Sequence, residues 1–575
     1  MLKILKKYKH WALLAPLFML GEIWMDLLQP NFMAKIVDDG VLGGDLEVVI
    51  KIGIRIILLV IFGAFCGIMS GVFANLAGQN FGNDLRKQLF GKIMHLSVEQ
   101  TDKFSTGSLV TRLGNDVQQV QQVVMMSVRG LIRSGTMFLG GIFMLYMQAP
   151  KFALIVGCAL PLVVLIVVFF MKKASPLFSV VQSKLDGINS IMQENVAGAR
   201  VVKAYVKEDD ELEKFDRAND DYNKINLRVQ TLLAYMHPAL NIILNICVIA
   251  VLYIGGITVK RGDGLMPGEI MAAITYVSMI LNSVMFLANM FQIFTRAKAS
   301  AERIREVLNC EDVVTDGSLA NVPREGGRVE FRNVSFAYPN SNGEKVLDGV
   351  SFTLEPGQTL GIIGATGSGK STLVNLIPRF YDATEGQVLI DGTDVRDYKL
   401  EDLRSRVSMV LQTPELYSRP IEANIRWGKD GAEPEEIKKA AVLAQADSFI
   451  MSTPNAYYTQ VAERGHSLSG GQKQRLSIAR ALLKDHEILI FDDASSALDL
   501  KTEADLYSAL NKEMPDTTKI IIAQRIASIK GADRIAVLDR GKIADIGTHE
   551  ELLKKSEIYK EICYSQLREG GEENV

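Results

Sequence analysis

Eight consecutive residues, Gly364, Ala365, Thr366, Gly367, Ser368, Gly369, Lys370 and Ser371, combine what is needed to hold a polyphosphate. They fit the spacing G-x-x-x-x-G-K-[ST], in which glycines let backbone N–H groups turn inward onto phosphate oxygens. Lys370 would reach the β- and γ-phosphates, and the Ser371 hydroxyl would take one position around Mg²⁺. The apolar run Gln358–Ile363 predicts a buried strand before the loop. Ser371–Ile377 predicts a helix after it, whose N-terminus completes an anion site. A fortuitous glycine-rich turn is the bland alternative, and the strand–loop–helix context argues against it.

A second run narrows the class. Leu468-Ser-Gly-Gly-Gln472, continuing into Lys473–Leu482, resembles the signature of ATP-binding-cassette proteins. That resemblance implies ATP and Mg²⁺, and it gives roles to further residues in chain order. Tyr338, in Phe336-Ala-Tyr-Pro339, matches the aromatic that stacks on adenine. Gln412 matches the loop glutamine that senses Mg²⁺ and couples to the membrane domain. Asp492 closes the apolar run Ile488–Asp492 and matches the Mg²⁺-binding aspartate, and Asp499 matches the loop that crosses a dimer interface. Ser469, Gly470, Gly471 and Gln472 would serve the pocket of a partner cassette. The similarity runs from Arg328 to Gln566.

Two positions depart from the family pattern. Where the family has a glutamate that polarises the attacking water, this chain has Asp493. Where the family has a histidine beside the γ-phosphate, it has Gln524. Aspartate and glutamate are similarly acidic, so the first change is one of reach, and a misplacement of about 1 Å can cost ~10²-fold. Gln524 can donate a hydrogen bond but carries no positive charge. Both changes in one pocket predict a site that binds ATP and hydrolyses it poorly.

These motifs need elements to position them, and the first half of the chain supplies something else. Hydrophobic residues make up 48% of the 575, with the apolar segments concentrated before residue 310. Six stretches could each span about 30 Å of hydrocarbon: Trp11–Lys35, Ile52–Ala74, Val128–Met147, Phe152–Met171, Ala239–Val259 and Ile270–Phe294. Lys3, Lys6, Lys7 and Lys9 precede the first, which places the N-terminus inside, and an even number of spans keeps both termini and the cassette cytoplasmic. Glu22 and Asp26 within that run, and the lack of a small-residue cleavage site, argue against a cleaved signal peptide. The connection after the first span carries Asp38, Asp39, Asp45 and Glu47, as an external loop would. Gln88–Val120 and Ser179–Arg228 keep helical periodicity, which predicts spans two to five continuing far into the cytosol. Gln100–Ser108 and Ala204–Glu211 interrupt that pattern where each helical pair should turn back.

A net charge of −3 gives no nucleic-acid signal, and the five scattered cysteines have neither metal-ligand nor disulfide spacing. The expected fold is an α-helical membrane domain over residues 1–310, a linker over 311–327 and an α/β P-loop nucleotide-binding domain over 328–575. Six spans, two long helical hairpins and one cassette resemble an ATP-binding-cassette exporter half-transporter of the cell membrane. The degenerate pocket resembles that of one subunit of bacterial heterodimeric multidrug exporters. That resemblance implies a second half-transporter as partner, with this chain's signature completing the partner's catalytic site, and amphiphilic molecules as cargo moved across the bilayer. A homodimeric lipid or drug flippase and an ATP-gated regulatory or channel-like protein are the alternatives. Glu22 and Asp26 lie i, i+4 on the first span. They either line a substrate cavity that attracts cationic amphiphiles, or pair with a basic side chain of another span.

Overall fold

The computed structural model describes residues 2–148, 150–261, 264–311, 313–339, 341, 343–462, 465 and 467–569. The last residues of the expected nucleotide-binding domain, 570–575, lie outside the described residues. Two compact units result: Met1–His95 with Thr106–Cys310, and Leu96–Ser105 with Glu311–Val575. The ten residues Leu96–Ser105 therefore group with the second unit, although they lie within the expected membrane domain.

The first unit holds six helices long and apolar enough to cross a membrane: Lys9–Val41, Leu46–Met94, Thr106–Gln148, Pro150–Ala197, Glu208–Arg261 and Pro267–Leu287. Each contains or overlaps one of the six apolar stretches. Its core gathers Met19, Ile23 and Leu27 from the first helix with Tyr276, Val277 and Ile280 from the last. Outward positions such as Leu13, Ile57, Leu165 and Ile249 stay exposed and apolar. A protein in water would bury them; a lipid-facing surface has no reason to. The acidic residues after the first span have structural work. Asp45 caps the second helix by accepting from the Glu47 and Val48 amides, and Asp38 accepts from the Gly268 amide at 2.7 Å.

Both long hairpins form, but their turns differ from expectation. Helix Leu46–Met94 stops at His95, and the supposed interruption is itself a helix, Val98–Phe104, closed by a Ser97–Gln100 capping box. The chain then reverses through Ser105, whose φ is 55°. In the second hairpin the break is confined to Gly198 and to residues 205–207, with the short helix Ala199–Ala204 between them. Polar composition marked both places correctly. It could not distinguish a loop from a short capped helix.

The second unit is built on two sheets whose strands, in chain order, are β1 (Val329–Phe336), β2 (Leu347–Leu354), β3 (Thr359–Ile363), β4 (Glu385–Ile390), β5 (Thr393–Asp394), β6 (Val407–Val410), β7 (Ile488–Asp492), β8 (Thr518–Ile522), β9 (Arg534–Asp539) and β10 (Lys542–Gly547). The smaller sheet is antiparallel, in the order β2-β1-β4-β5. The larger has the order β10-β9-β3-β8-β7-β6, and all its pairs are parallel except β9 with β10. Central strands β7 and β8 are buried along their whole length, as their unbroken apolar runs require in a sheet covered on both faces. Two apolar cores flank this sheet, one around Leu489, Phe491 and Ile521 and the other around Ile362, Ile490 and Ile520. Alternate residues of the same strands thus serve opposite faces.

Candidate functional site

Parallel pairing puts the carboxyl ends of β3, β8, β7 and β6 along one edge of the sheet, where ligands of open α/β sheets bind. Four candidate segments begin at that edge. Gly364 follows β3, Gln412 lies two residues past β6, Asp492 ends β7 with Asp493 directly after it, and Gln524 lies two residues past β8. The register aligns Asp492 with Ile522 and Val410 with Phe491, so residues far apart in sequence meet within one cavity. That cavity, about 730 Å³, is lined by the phosphate-loop backbone with Lys370, Ser371, Gln412, Asp492, Asp493 and Gln524.

The loop's shape depends on specific glycines. Gly369 precedes helix Lys370–Asn375 with φ at 98°, and a β-carbon there would stand 2.9 Å from Leu347 and from the Val346 carbonyl. Gly364 has no room either, since a β-carbon would fall 2.1 Å from the Leu538 carbonyl oxygen. Gly367, with φ at 83°, faces open space. The Lys370 ammonium donates to the carbonyls of Gly364 and Ala365 at 2.9 and 2.8 Å, curled over its own loop. Burial lowers its pKa, against the raising influence of Asp493 and Asp492.

The acidic side is equally ordered. The Ser371 hydroxyl donates to Asp492 Oδ1 at 2.8 Å. Burial raises the Asp492 pKa, with the Asp493 charge adding to it and the Ser371 bond opposing it. Asp493 is 6% exposed and holds φ at 50°, which an aspartate tolerates better than most residues. Its Oδ2 accepts from two amides at once, Gln524 Nε2 at 2.6 Å and Gln412 Nε2 at 3.2 Å. The two residues that depart from the family pattern are therefore hydrogen-bonded to each other. Sequence reading identified each position without revealing that contact.

The residues present fit ATP with Mg²⁺. The Ser368 hydroxyl oxygen is buried at the loop without a hydrogen-bond partner, as a group held ready for a ligand would be. A desolvated lysine faces two buried carboxylates, a donor set suited to a polyphosphate neutralised by a hard cation.

Other predicted residues stand elsewhere. Tyr338 is not among the cavity-lining residues; its hydroxyl bonds the Thr372 hydroxyl at 3.1 Å and its ring meets Phe336 and Tyr381 edge-on. Ser469 is the N-cap of helix Gly470–Leu483, in a capping box with Gln472. Ser469 and Gly470 are exposed, Gly471 and Gln472 half-buried, and none of the four lines this chain's own cavity. Asp499 is exposed and caps helix Leu500–Glu513 by accepting from the Thr502 amide and hydroxyl. In the membrane unit, Glu22 and Asp26 make the ion pairing that was one of their two expected roles. Arg133 of the third span pairs with both, bonding Glu22 and lying 3.3 Å from Asp26. Two carboxylates at membrane depth are tolerable because one guanidinium spans them. Arg133 was missed because spacing along one helix does not show which side chain of another span faces it.

Residues 13–284 match the family model for the ABC transporter transmembrane region, and residues 347–496 match the family model for ABC transporter. The chain is 40% identical over 573 residues to the ABC transporter ATP-binding protein YfiB of Bacillus subtilis, covering 99% of each. It is 33% identical over 533 residues to the ATP-dependent lipid A-core flippase of Syntrophus aciditrophicus, covering 92% of this chain and 88% of the relative. Among solved structures, a bacterial Atm1-family ABC exporter with ATP bound superposes with a TM-score of 0.83 at 26% identity, covering 97% of this chain and 99% of the other.

Proposed function

The chain belongs to the ATP-binding-cassette transporter family, as an exporter half-transporter whose ATPase activity is coupled to transport, and we propose that it works in a heterodimer with its own pocket as the slow site. The observation that carries this reading is the double acceptance by Asp493 Oδ2. An oxygen already receiving two N–H bonds has no lone pair left for a proton from water, so that task would fall to the carboxylate's other oxygen, Oδ1. The carboxylate is also one methylene shorter than the family's, and Gln524 brings no charge to a developing phosphate. Lys370, Ser371, Asp492 and Gln412 would hold the nucleotide and Mg²⁺, and the bound cation would supply charge neutralisation at the phosphates. ATP is retained here and hydrolysed at the other pocket, where Ser469 and the glycine amides of this chain complete the site.

The cargo we propose is an amphiphile. A cavity of about 420 Å³ in the membrane unit is lined by Gly71, Met125, Met126 and Phe286 with Arg129 and Arg133, an adaptable apolar wall bearing charge. The relative named a lipid A-core flippase favours lipid movement as a second reading, in which two copies of this chain pair. The cassette faces the cytoplasm, with both termini inside.

The pocket assignment is tested by nucleotide counting on the purified assembly. Lys370→Ala should empty this chain's pocket and leave the other occupied. Unchanged occupancy of both would overturn it, and loss from both would favour the symmetric reading.

A further inference from the structure

The C-terminal helix, Glu557–Glu569, forms one wall of the nucleotide cavity, and no motif assigns it a part in that site. Tyr559 and Cys563 anchor it in the core, while Ile558, Glu561, Ile562, Ser565 and Gln566 turn toward the cavity. The spacing is that of one helical face resting on the site and a second holding it down.

Gln566 makes the connection specific. Its Nε2 donates to the Gln524 carbonyl at 2.6 Å, and its Oε1 accepts from the Ile526 amide at 2.9 Å. One side-chain amide thus ties both ends of the peptide segment through Arg525, as a neighbouring strand would. The Ala523 amide is held from the other side by the Ile362 carbonyl at 3.2 Å. Between these ties the Gln524 side chain has one short bond left, to Asp493.

We propose that Gln566 is a positioning residue for the nucleotide site, and that the C-terminal helix works by holding the Gln524 amide against Asp493. A glutamine side chain has three rotatable bonds, so its aim depends on where its backbone is fixed. Without Gln566 the loop keeps its place in the chain, but the 2.6 Å contact to Asp493 is no longer enforced. This inference rests on the reading of the pocket as a nucleotide-retaining site.

The test uses the full-length chain in its membrane assembly, with a fluorescent ATP analogue as probe. Gln566→Ala should weaken retention at this pocket about tenfold, the scale of one hydrogen bond to a charged group. Gln566→Glu keeps the acceptor for Ile526 but sets a carboxylate oxygen against the Gln524 carbonyl where the donor stood, so retention should fall at least as far as with Gln566→Ala. The deciding measurement is the cycle with Gln524→Ala. If Gln566 acts through Gln524, adding Gln566→Ala to Gln524→Ala changes retention no further, while thermal melting of the four proteins stays similar. Additive losses, or losses that follow the melting temperature, would overturn the proposal. Lys370→Ala separates the two levels: if it fails to empty the pocket, the reading beneath is at fault. If it empties the pocket and the cycle is additive, the Gln566 inference alone fails.

Discussion

Asp493 and Gln524 are best understood as a pair, because the 2.6 Å bond between them means that neither can change alone without disturbing the other. Lengthening the carboxylate by Asp493→Glu drives it toward an amide already in contact, so the single substitution should raise turnover little. Gln524→His alone places a ring beside a carboxylate too short for the water. The double substitution restores reach and charge together, and should raise ATPase activity of the assembly about tenfold above the product of the single effects, a part of the ~10²–10⁴-fold that general-base catalysis supplies. Steady-state hydrolysis of the four variants measures this, and simple multiplicative behaviour would mean the two residues are not coupled in hydrolysis. On the proposal that this is the slow pocket, Asp493→Asn should leave the activity of the assembly within about twofold. The identity of each position was legible because fixed spacings surround it. Their convergence was not, since Gln412 and Gln524 lie 81 and 31 residues from Asp493 and only the strand order brings them to one oxygen.

At the scale of elements, the site is held by the strand ends and by the turn that β3 feeds. Gly369 and Gly367 both adopt positive φ, yet only Gly369 is crowded, by Leu347 and the Val346 carbonyl at 2.9 Å. Gly369→Ala should therefore abolish nucleotide binding and cost about 1–3 kcal/mol in stability, from strained backbone and overpacking together. Gly367→Ala carries the backbone strain without the clash and should cost about 1 kcal/mol. Thermal melting with and without ATP separates the two; equal losses would show that the packing against β2 is not what fixes the loop. The strand–loop–helix order, the six spans and the long hairpins were legible because apolar runs and helical periods are local properties. The C-terminal helix wall was not. Gln566 bonds a backbone 40 and 42 residues away, and an amphipathic helix at a chain end gives no sign of what its polar edge touches.

At the scale of the whole molecule, the question is where the signature acts. Ser469 is exposed at a helix N-terminus, already in a capping box with Gln472, and absent from its own chain's cavity. Losing the cap by Ser469→Ala costs about 1 kcal/mol of helix stability, too little to unfold a helix with Leu476, Ile478 and Ala479 fully buried. A local structural role alone therefore predicts a nearly normal ATPase. If the hydroxyl and the Gly470 and Gly471 amides instead face the phosphates held by a partner's loop, they stabilise charge as it develops. Losing one such donor then slows hydrolysis ~10²–10³-fold. In a heterodimer that loss is one-sided. Ser469→Ala in this chain should stop most of the activity, and the matching serine of the partner, which serves the slow pocket, should tolerate the change. Steady-state ATPase on the reconstituted pair, with each substitution made singly, distinguishes the cases. A severe loss from this chain alone supports the asymmetric assembly, and equal losses support a symmetric one. Near-normal turnover from the Ser469 variant would leave its helix cap as the whole of its role.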